Sequence, residues 1–235
     1  HGHFYQPPRE DPWLGIIPHQ DSAHPYHEWN ERITKECYAA NSMSRTLNPF
    51  GQITYIVNNY CYISFNFGPT LLSWLKNNSY YVYENIIEAD RISRKKNSGH
   101  GNAIAQAYNH AILPLCSNED VKTQIIWGLK DFEYHFERKS EGIWLPEAGV
   151  NLHVIDILIE EGIKFIILSP WQAEAVCPIG SNKWQSLHNN PIPTGKPYRI
   201  ERPHGALTVF FYNHILATGI SFQHYLRNAE RLYDR

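Results

Sequence analysis

Residues 142–168 read GIWLPEAGVNLHVIDILIEEGIKFIIL, and their pattern decides the fold. Gly142-Ile143-Trp144-Leu145 is short and apolar, and Pro146-Glu147 interrupts it. Leu152, Ile155, Leu158 and Ile159 then recur at helical spacing, and Gly162 closes that helix before the apolar run Phe165-Ile166-Ile167-Leu168. Strand, loop, helix and strand in this order form a βαβ signature, and continuous apolar strands suit a parallel sheet covered on both faces. The pattern predicts an α/β barrel, whose strands present their C-terminal ends to a substrate. Glu147 directly follows such a strand end, where barrel enzymes hold catalytic groups. A Glu after Pro also suits the first turn of a helix, where its charge meets the positive end of the dipole.

Upstream, Pro7, Pro8, Pro12, Pro18, Pro25 and Pro49 punctuate residues 1–50, which predicts one extended start followed by loops rather than long helices. Apolar and β-branched residues over 52–67 predict strand, stopped by Gly68-Pro69. From about Thr70 the spacing predicts one or two amphipathic helices broken near Asn77-Asn78. Residues 103–113 have helical propensity up to Pro114, and 122–139 predict another helix on the core. Residues 178–203 read as a polar loop excursion, 207–212 as a strand and 220 onward as a helix. With no internal repeat, residues 1–235 are expected to form a single domain, part of a longer chain.

Of the 235 residues 43% are hydrophobic and 19% charged, which excludes a disordered chain. A net charge of -2, with no basic run longer than Arg94-Lys95-Lys96, argues against a nucleic-acid partner. Cys37, Cys61, Cys116 and Cys177 form no CxxC pair, which fits a reduced, cytoplasmic protein. No apolar run approaches the roughly 20 residues that cross a bilayer, so no membrane partner is expected. The composition does not specify an oligomeric state.

Several side chains are suited to chemistry. His1 and His3 alternate on a first strand and point the same way. Together with His100, His110 and His135 they suit a divalent metal, although no HExxH or ligand Asp follows, and such histidines also serve as hydrogen-bonding groups. Gly99-His100-Gly101-Asn102 with Gln106, Tyr108, Asn109 and His110 offers amide and imidazole donors to a neutral, hydroxyl-rich ligand. The same residues also read as a glycine turn with a capping Asn. No GxGxxG or GxxxxGK[ST] cradles a phosphate. Trp13, Trp144 and Trp171 suit either core packing or stacking on a sugar face; Trp171, after Ser169-Pro170 at a strand end, is better placed to stack.

Five segments, HGHFYQPPR (1–9), NNY (58–60), SFNFGPT (64–70), HGNAIAQ (100–106) and WLPE (144–147), together resemble glycoside hydrolase family 57, in particular the branch with HGHFYQPPRE and SFNFGPTLLSWL. The resemblance implies an incomplete (β/α)7-type barrel, truncated on its C-terminal side, and a retaining enzyme acting on α-linked glucans by hydrolysis or transglycosylation. It places the nucleophile on Glu147. His1 and His3 would form the floor of the site, and His100, Asn102 and Gln106 would donate to sugar hydroxyls. Trp144 would support the nucleophile strand and Trp171 would form a subsite wall. No metal and no cofactor are implied.

The family's acid/base Asp belongs to a later motif that does not occur by Arg235. The second carboxyl is therefore expected beyond this sequence, and the isolated fragment is expected to be inactive. Asn213-His214 stands where relatives carry an Asp-Gly-Pro turn, which bears on the rim of the site and on substrate preference. Two rival readings remain at this point: a metal-dependent carbohydrate hydrolase or deacetylase ligated by His1 and His3, and a non-catalytic carbohydrate-binding barrel.

Overall fold

The computed structural model describes residues 1–234. They form two compact units, His1–Gly149 and the described residues from Val150 onward. The first holds strands β1 (Gly2–Phe4), β2 (Ser44–Leu47), β3 (Ile53–Val57), β4 (Phe65–Phe67), β5 (Ala105–Gln106) and β6 (Gly142–Trp144). Its helices are α1 (Trp29–Ile33), α2 (Ala39–Ser42), α3 (Pro69–Asn78), α4 (Tyr80–Lys96) and α5 (Asn118–Phe136).

β1 runs parallel to β4 with His3 opposite Asn66, Phe65 bridges in parallel to Ala103, and β5 runs parallel to β6 with Gln106 opposite Trp144. Parallel neighbours need crossovers: α3 and α4 connect β4 to β5, and α5 connects β5 to β6. α3 starts at Pro69, whose missing N–H costs nothing in a first turn, and buries Leu71, Leu72 and Leu75. Ser79 separates it from α4, so the predicted break lies within two residues of its expected place. In α5, Ser117 caps the start by accepting from the Asp120 N–H. Gly128 lies so close to β5 that a Cβ there would collide with the Gln106 carbonyl.

Four expectations are corrected. Residues 29–42 are one helical run, α1 and α2 joined by a π turn at Thr34–Tyr38. The prolines all lie outside this run, and the buried Glu28 carboxylate caps it by accepting from the Asn30 and Glu31 N–H groups at 2.7 and 2.8 Å. Residues 103–107 are buried, with a bridge at Ala103 and strand at Ala105–Gln106 rather than helix. There the Ala103 N–H goes to Asp90 Oδ1 at 2.8 Å and the Ala105 N–H to Ser140 Oγ at 2.9 Å, so tertiary partners override alanine's helix propensity. Finally, the stretch expected as loop over 178–203 contains two strands, given below. The apolar 52–67 stretch is also divided: β3 pairs with β2 in a largely exposed hairpin, whereas β4 is fully buried.

The second unit contains α6 (Leu152–Glu160), β7 (Phe165–Leu168), β8 (Ala175–Val176), β9 (Gln185–Ser186), β10 (Tyr198–Arg202), β11 (Gly205–Phe211), α7 (His214–Phe222) and α8 (Ala229–Tyr233). β7 lies parallel to β11, β10 antiparallel to β11, and β8 pairs with β9. Arg202 on β10 grips Asp156 on α6 through two hydrogen bonds of 2.7 and 2.8 Å, a bidentate contact that a loop reading of this stretch misses. Arg235, the last residue of the helix expected from 220 onward, lies outside the described residues. Among the described residues no helix is long and apolar enough to cross a membrane.

Candidate active site

The parallel strands β1, β4, β5 and β6 end at Phe4, Phe67, Gln106 and Trp144 on one side of the first unit, and a polar cluster gathers there. Its hub is Asn66, fully buried between two phenylalanines. The Asn66 Oδ1 lies 3.1 Å from His1 Nε2 and 3.2 Å from His3 Nδ1, and its Nδ2 donates to Gln106 Oε1 at 2.6 Å. The Trp144 indole lies nearly parallel to both imidazoles, at 5.2 Å from His1 and 5.0 Å from His3. Tyr5 stacks on His110 at 3.9 Å. Gly68 closes one wall: a Cβ there would come within 2.8 Å of the Tyr5 ring and 2.9 Å of Gln106 Nε2. Gly68→Ala should therefore displace the Gln106 amide and cost about 1–3 kcal/mol, read as a lowered urea midpoint. An unchanged midpoint would show that this wall yields freely.

His3 Nε2 and His110 Nε2 are 3.0 Å apart. Whichever ring donates, the other must offer a lone pair, so the two imidazoles cannot both be charged. His3 is exposed, yet protein packed around the imidazole lowers its pKa to about 4, opposed by the Asn66 hydrogen bond and assisted by His110. Burial also lowers the His110 pKa, while the Glu147 carboxylate raises it. At neutral pH the pair is therefore uncharged, a set of neutral donors and acceptors.

The linkage follows from which state takes the proton first. The unfolded His3 protonates near 6.5 and the folded one only near 4, so acid favours unfolding. Stability should be complete above pH 6.5, fall between 6.5 and about 4, and level off below. His3→Gln should flatten that slope in melting temperatures measured across the window, and an equal slope in both proteins would refute the assignment.

Glu147 follows β6 and the buried Leu145-Pro146, and it is exposed. Its backbone is left-handed, φ 56°, as are those of Ala148, φ 52°, and His110, φ 56°. Such conformations cost non-glycine residues about 1–3 kcal/mol each and collect where function demands them. The Glu147 charge acts on His110, raising its pKa against the effect of burial. Gln106 Nε2 and Trp144 Nε1 are buried without an acceptor among the described residues, a further cost of about 1–3 kcal/mol per group in the same place.

His1, His3, Gln106 and Trp144 are thus brought together, with Glu147 beside them. His100 and Asn102 are not. They precede β5, about 13 Å (Asn102) and about 20 Å (His100) from Gln106 along an extended chain at 3.3 Å per residue. There His100 Nδ1 meets Glu141 at 2.7 Å, and Asn102 Nδ2 donates to the Tyr60 carbonyl at 3.2 Å. Trp171 belongs to the second unit, is 54% exposed and packs edge-on against His214. Asn66 and Tyr5 were missed as site residues. The signal for Asn66 was present, a carboxamide between two phenylalanines in an otherwise apolar strand.

Among the described residues no three or more His, Cys, Asp or Glu side chains are arranged to hold a metal ion.

Comparison with known proteins bears on the fold and the family. A stretch of 73 residues, 29% of this chain and 11% of the relative, is 35% identical to the 1,4-alpha-glucan branching enzyme TK1436 of Thermococcus kodakarensis. The fold is similar to that of the 4-alpha-glucanotransferase of Thermococcus litoralis, with a TM-score of 0.55 and 19% identity over 98% of this chain and 30% of that one. It is also similar to an exo-type maltose-forming amylase from Pyrococcus sp. ST04, with a TM-score of 0.63 and 15% identity over 95% of this chain and 36% of that one. The chain thus spans about a tenth of the curated relative and about a third of the solved enzymes. At these identities the structural likeness is one of fold: α/β, of the incomplete (β/α)7 barrel type. The family model for glycosyl hydrolase family 57 matches residues 18–235, a span that includes Asn66, Gln106, Trp144 and Glu147, and the chain belongs to that family.

Proposed function

We propose that this chain carries the nucleophile half of a retaining glycosidase or glucanotransferase acting on α-glucans. The observation that carries the reading is Glu147: a carboxylate in a strained left-handed turn at the end of β6, acting electrostatically on His110 beside His1, His3 and Gln106. In this role a Glu147 oxygen attacks the anomeric carbon as the glycosidic C–O bond breaks, and a second carboxyl protonates the departing oxygen. The glycosyl-enzyme is then released to water, giving hydrolysis, or to a sugar hydroxyl, giving transfer.

Retaining chemistry needs the second carboxyl about 5–5.5 Å from the first. Asp131 lies 3.6 Å from His135 and Asp156 is held by Arg202, so both are engaged elsewhere. The acid/base is assigned to a segment beyond residue 235, and the fragment alone is expected to be inactive.

The neutral His3–His110 pair and His1 would hydrogen-bond sugar hydroxyls without attracting anions. Gln106 would hold Asn66 and hence both imidazoles, and the Trp144 face would brace them. His100 and Asn102 are left out of the substrate contacts because they secure the opposite end of β5. The proposal takes residues 1–235 as one catalytic domain of a cytoplasmic enzyme that requires no metal and has no nucleic-acid or membrane partner. Its test is the turnover of maltooligosaccharides by the full-length protein carrying Glu147→Gln.

A further inference from the structure

A groove of about 210 Å³ in the first unit is lined by Glu10, Thr70, Ser73, Trp74, Asn77 and Tyr108. We propose that this groove is a remote binding site for one glucosyl unit of an α-glucan chain, outside the reacting subsite. The inference rests on the α-glucan reading above and extends it to the length of chain the enzyme prefers.

Three arguments point to a sugar. First, the groove is built by the fold. Thr70, Ser73, Trp74 and Asn77 follow i, i+3, i+4, i+7 spacing and share one face of α3, while Leu71, Leu72 and Leu75 anchor the other face in the core. The Thr70 hydroxyl donates to the Gln6 carbonyl at 2.7 Å, tying down the loop that brings Glu10. Tyr108 is fixed by its N–H to the Gln124 carbonyl at 3.1 Å and by an edge-on contact with Trp127 at 5.6 Å.

Second, the lining has the chemistry of a neutral polyol site. Two aromatic rings offer apolar faces, and a carboxylate, an amide and two hydroxyls offer hydrogen bonds. No Lys or Arg lines the groove, so it does not select phosphate or carboxylate ligands. Pockets for drug-sized ligands run to roughly 300–1,000 Å³; this one suits a single hexose ring.

Third, the groove wall follows the cluster directly along the chain. Gly68, packed against Tyr5 and the Gln106 amide, leads directly into Pro69 and Thr70 of the groove wall. Glu10, Thr70 and Tyr108 all lie on segments that leave the same strand ends as His3, Asn66 and Gln106. A glucan held at Glu147 therefore has a second foothold within the same unit.

The test uses the full-length protein with Glu147→Gln as background, so that ligand is not consumed, and titrates maltoheptaose and maltotriose by calorimetry. Trp74→Ala should weaken maltoheptaose about tenfold and maltotriose far less, and the exposed Asn77→Ala should weaken maltoheptaose about threefold. Melting temperatures identify loss of fold in the tryptophan variant, in which case the asparagine variant decides. Equal weakening at both lengths, no weakening, or no maltooligosaccharide binding by the background protein would each overturn the groove assignment. Retained turnover in Glu147→Gln would instead overturn the nucleophile and leave a length-dependent binding result standing, so the two failures are distinguishable.

Discussion

Glu147→Gln in the full-length protein should lower kcat on maltooligosaccharides by at least about 10³-fold, the scale on which enzymes lose turnover when a nucleophile is removed, while KM changes little. The carboxamide keeps the size and hydrogen-bonding reach of the carboxylate but cannot form the glycosyl ester. A second variant separates this role from a structural one. Glu147 sits at φ 56°, a conformation glycine adopts without penalty. Glu147→Gly should therefore stabilise the fold, by about 1 kcal/mol, while abolishing turnover. A carboxylate that merely favoured the start of the following helix would give the reverse, with activity kept and stability lost. Wild-type turnover in Glu147→Gln would end the nucleophile assignment.

The contrast between β6 and β5 shows what was legible from the sequence. β6, α6 and β7 declare themselves because each is apolar on its own period and bounded by Pro or Gly, so local chemistry and tertiary environment agree. The same agreement places the break between α3 and α4 at Ser79. β5 is different. Its alanines favour helix, and the groups that hold it extended, Asp90 and Ser140, lie 13 and 35 residues away. Residues 29–42 fail for the opposite reason: flanking prolines suggest loop, while the cap that starts the helix is a buried glutamate, which pattern reading does not rank beside Ser or Asp.

The site divides along the same line. Glu147, His3, Gln106 and Trp144 stand at or just past the C-terminal ends of strands, and the rule that catalytic groups collect there finds them, whereas His1 precedes β1 and reaches the cluster through Asn66 Oδ1 at 3.1 Å. His100 and Asn102 carry the right chemical groups within a shared motif, but a motif of seven residues spans a strand from one end to the other. Donor type alone does not say which end faces substrate. Only the pairing of His100 with Glu141, 41 residues on, and of Asn102 with the Tyr60 carbonyl shows that they fasten the far end.

That far end carries the largest expected loss of stability. Asp90 on α4 is 1% exposed and pairs with Arg138, just past α5, whose side chain is 9% exposed. The guanidinium donates to both carboxylate oxygens at 2.8 Å and to the Ala103 carbonyl at 2.8 Å, while Asp90 Oδ1 accepts from the Ala103 N–H at 2.8 Å. Gly101 has no room for a Cβ beside this pair. Arg138→Ala would strand a buried carboxylate and should cost about 3–5 kcal/mol in urea unfolding. Arg138→Lys should recover only part of this, because an ammonium cannot make the bidentate fork. Replacing both partners, Asp90→Asn with Arg138→Met, should cost less than Arg138→Ala alone, since no charge is then left buried. Because β5 runs from this pair to Gln106, Arg138→Lys should also lower kcat/KM by loosening the Asn66 and histidine network at the other end. A loss below about 1 kcal/mol for Arg138→Ala would mean that the pair behaves as a surface ion pair and that β5 is held by its neighbours alone.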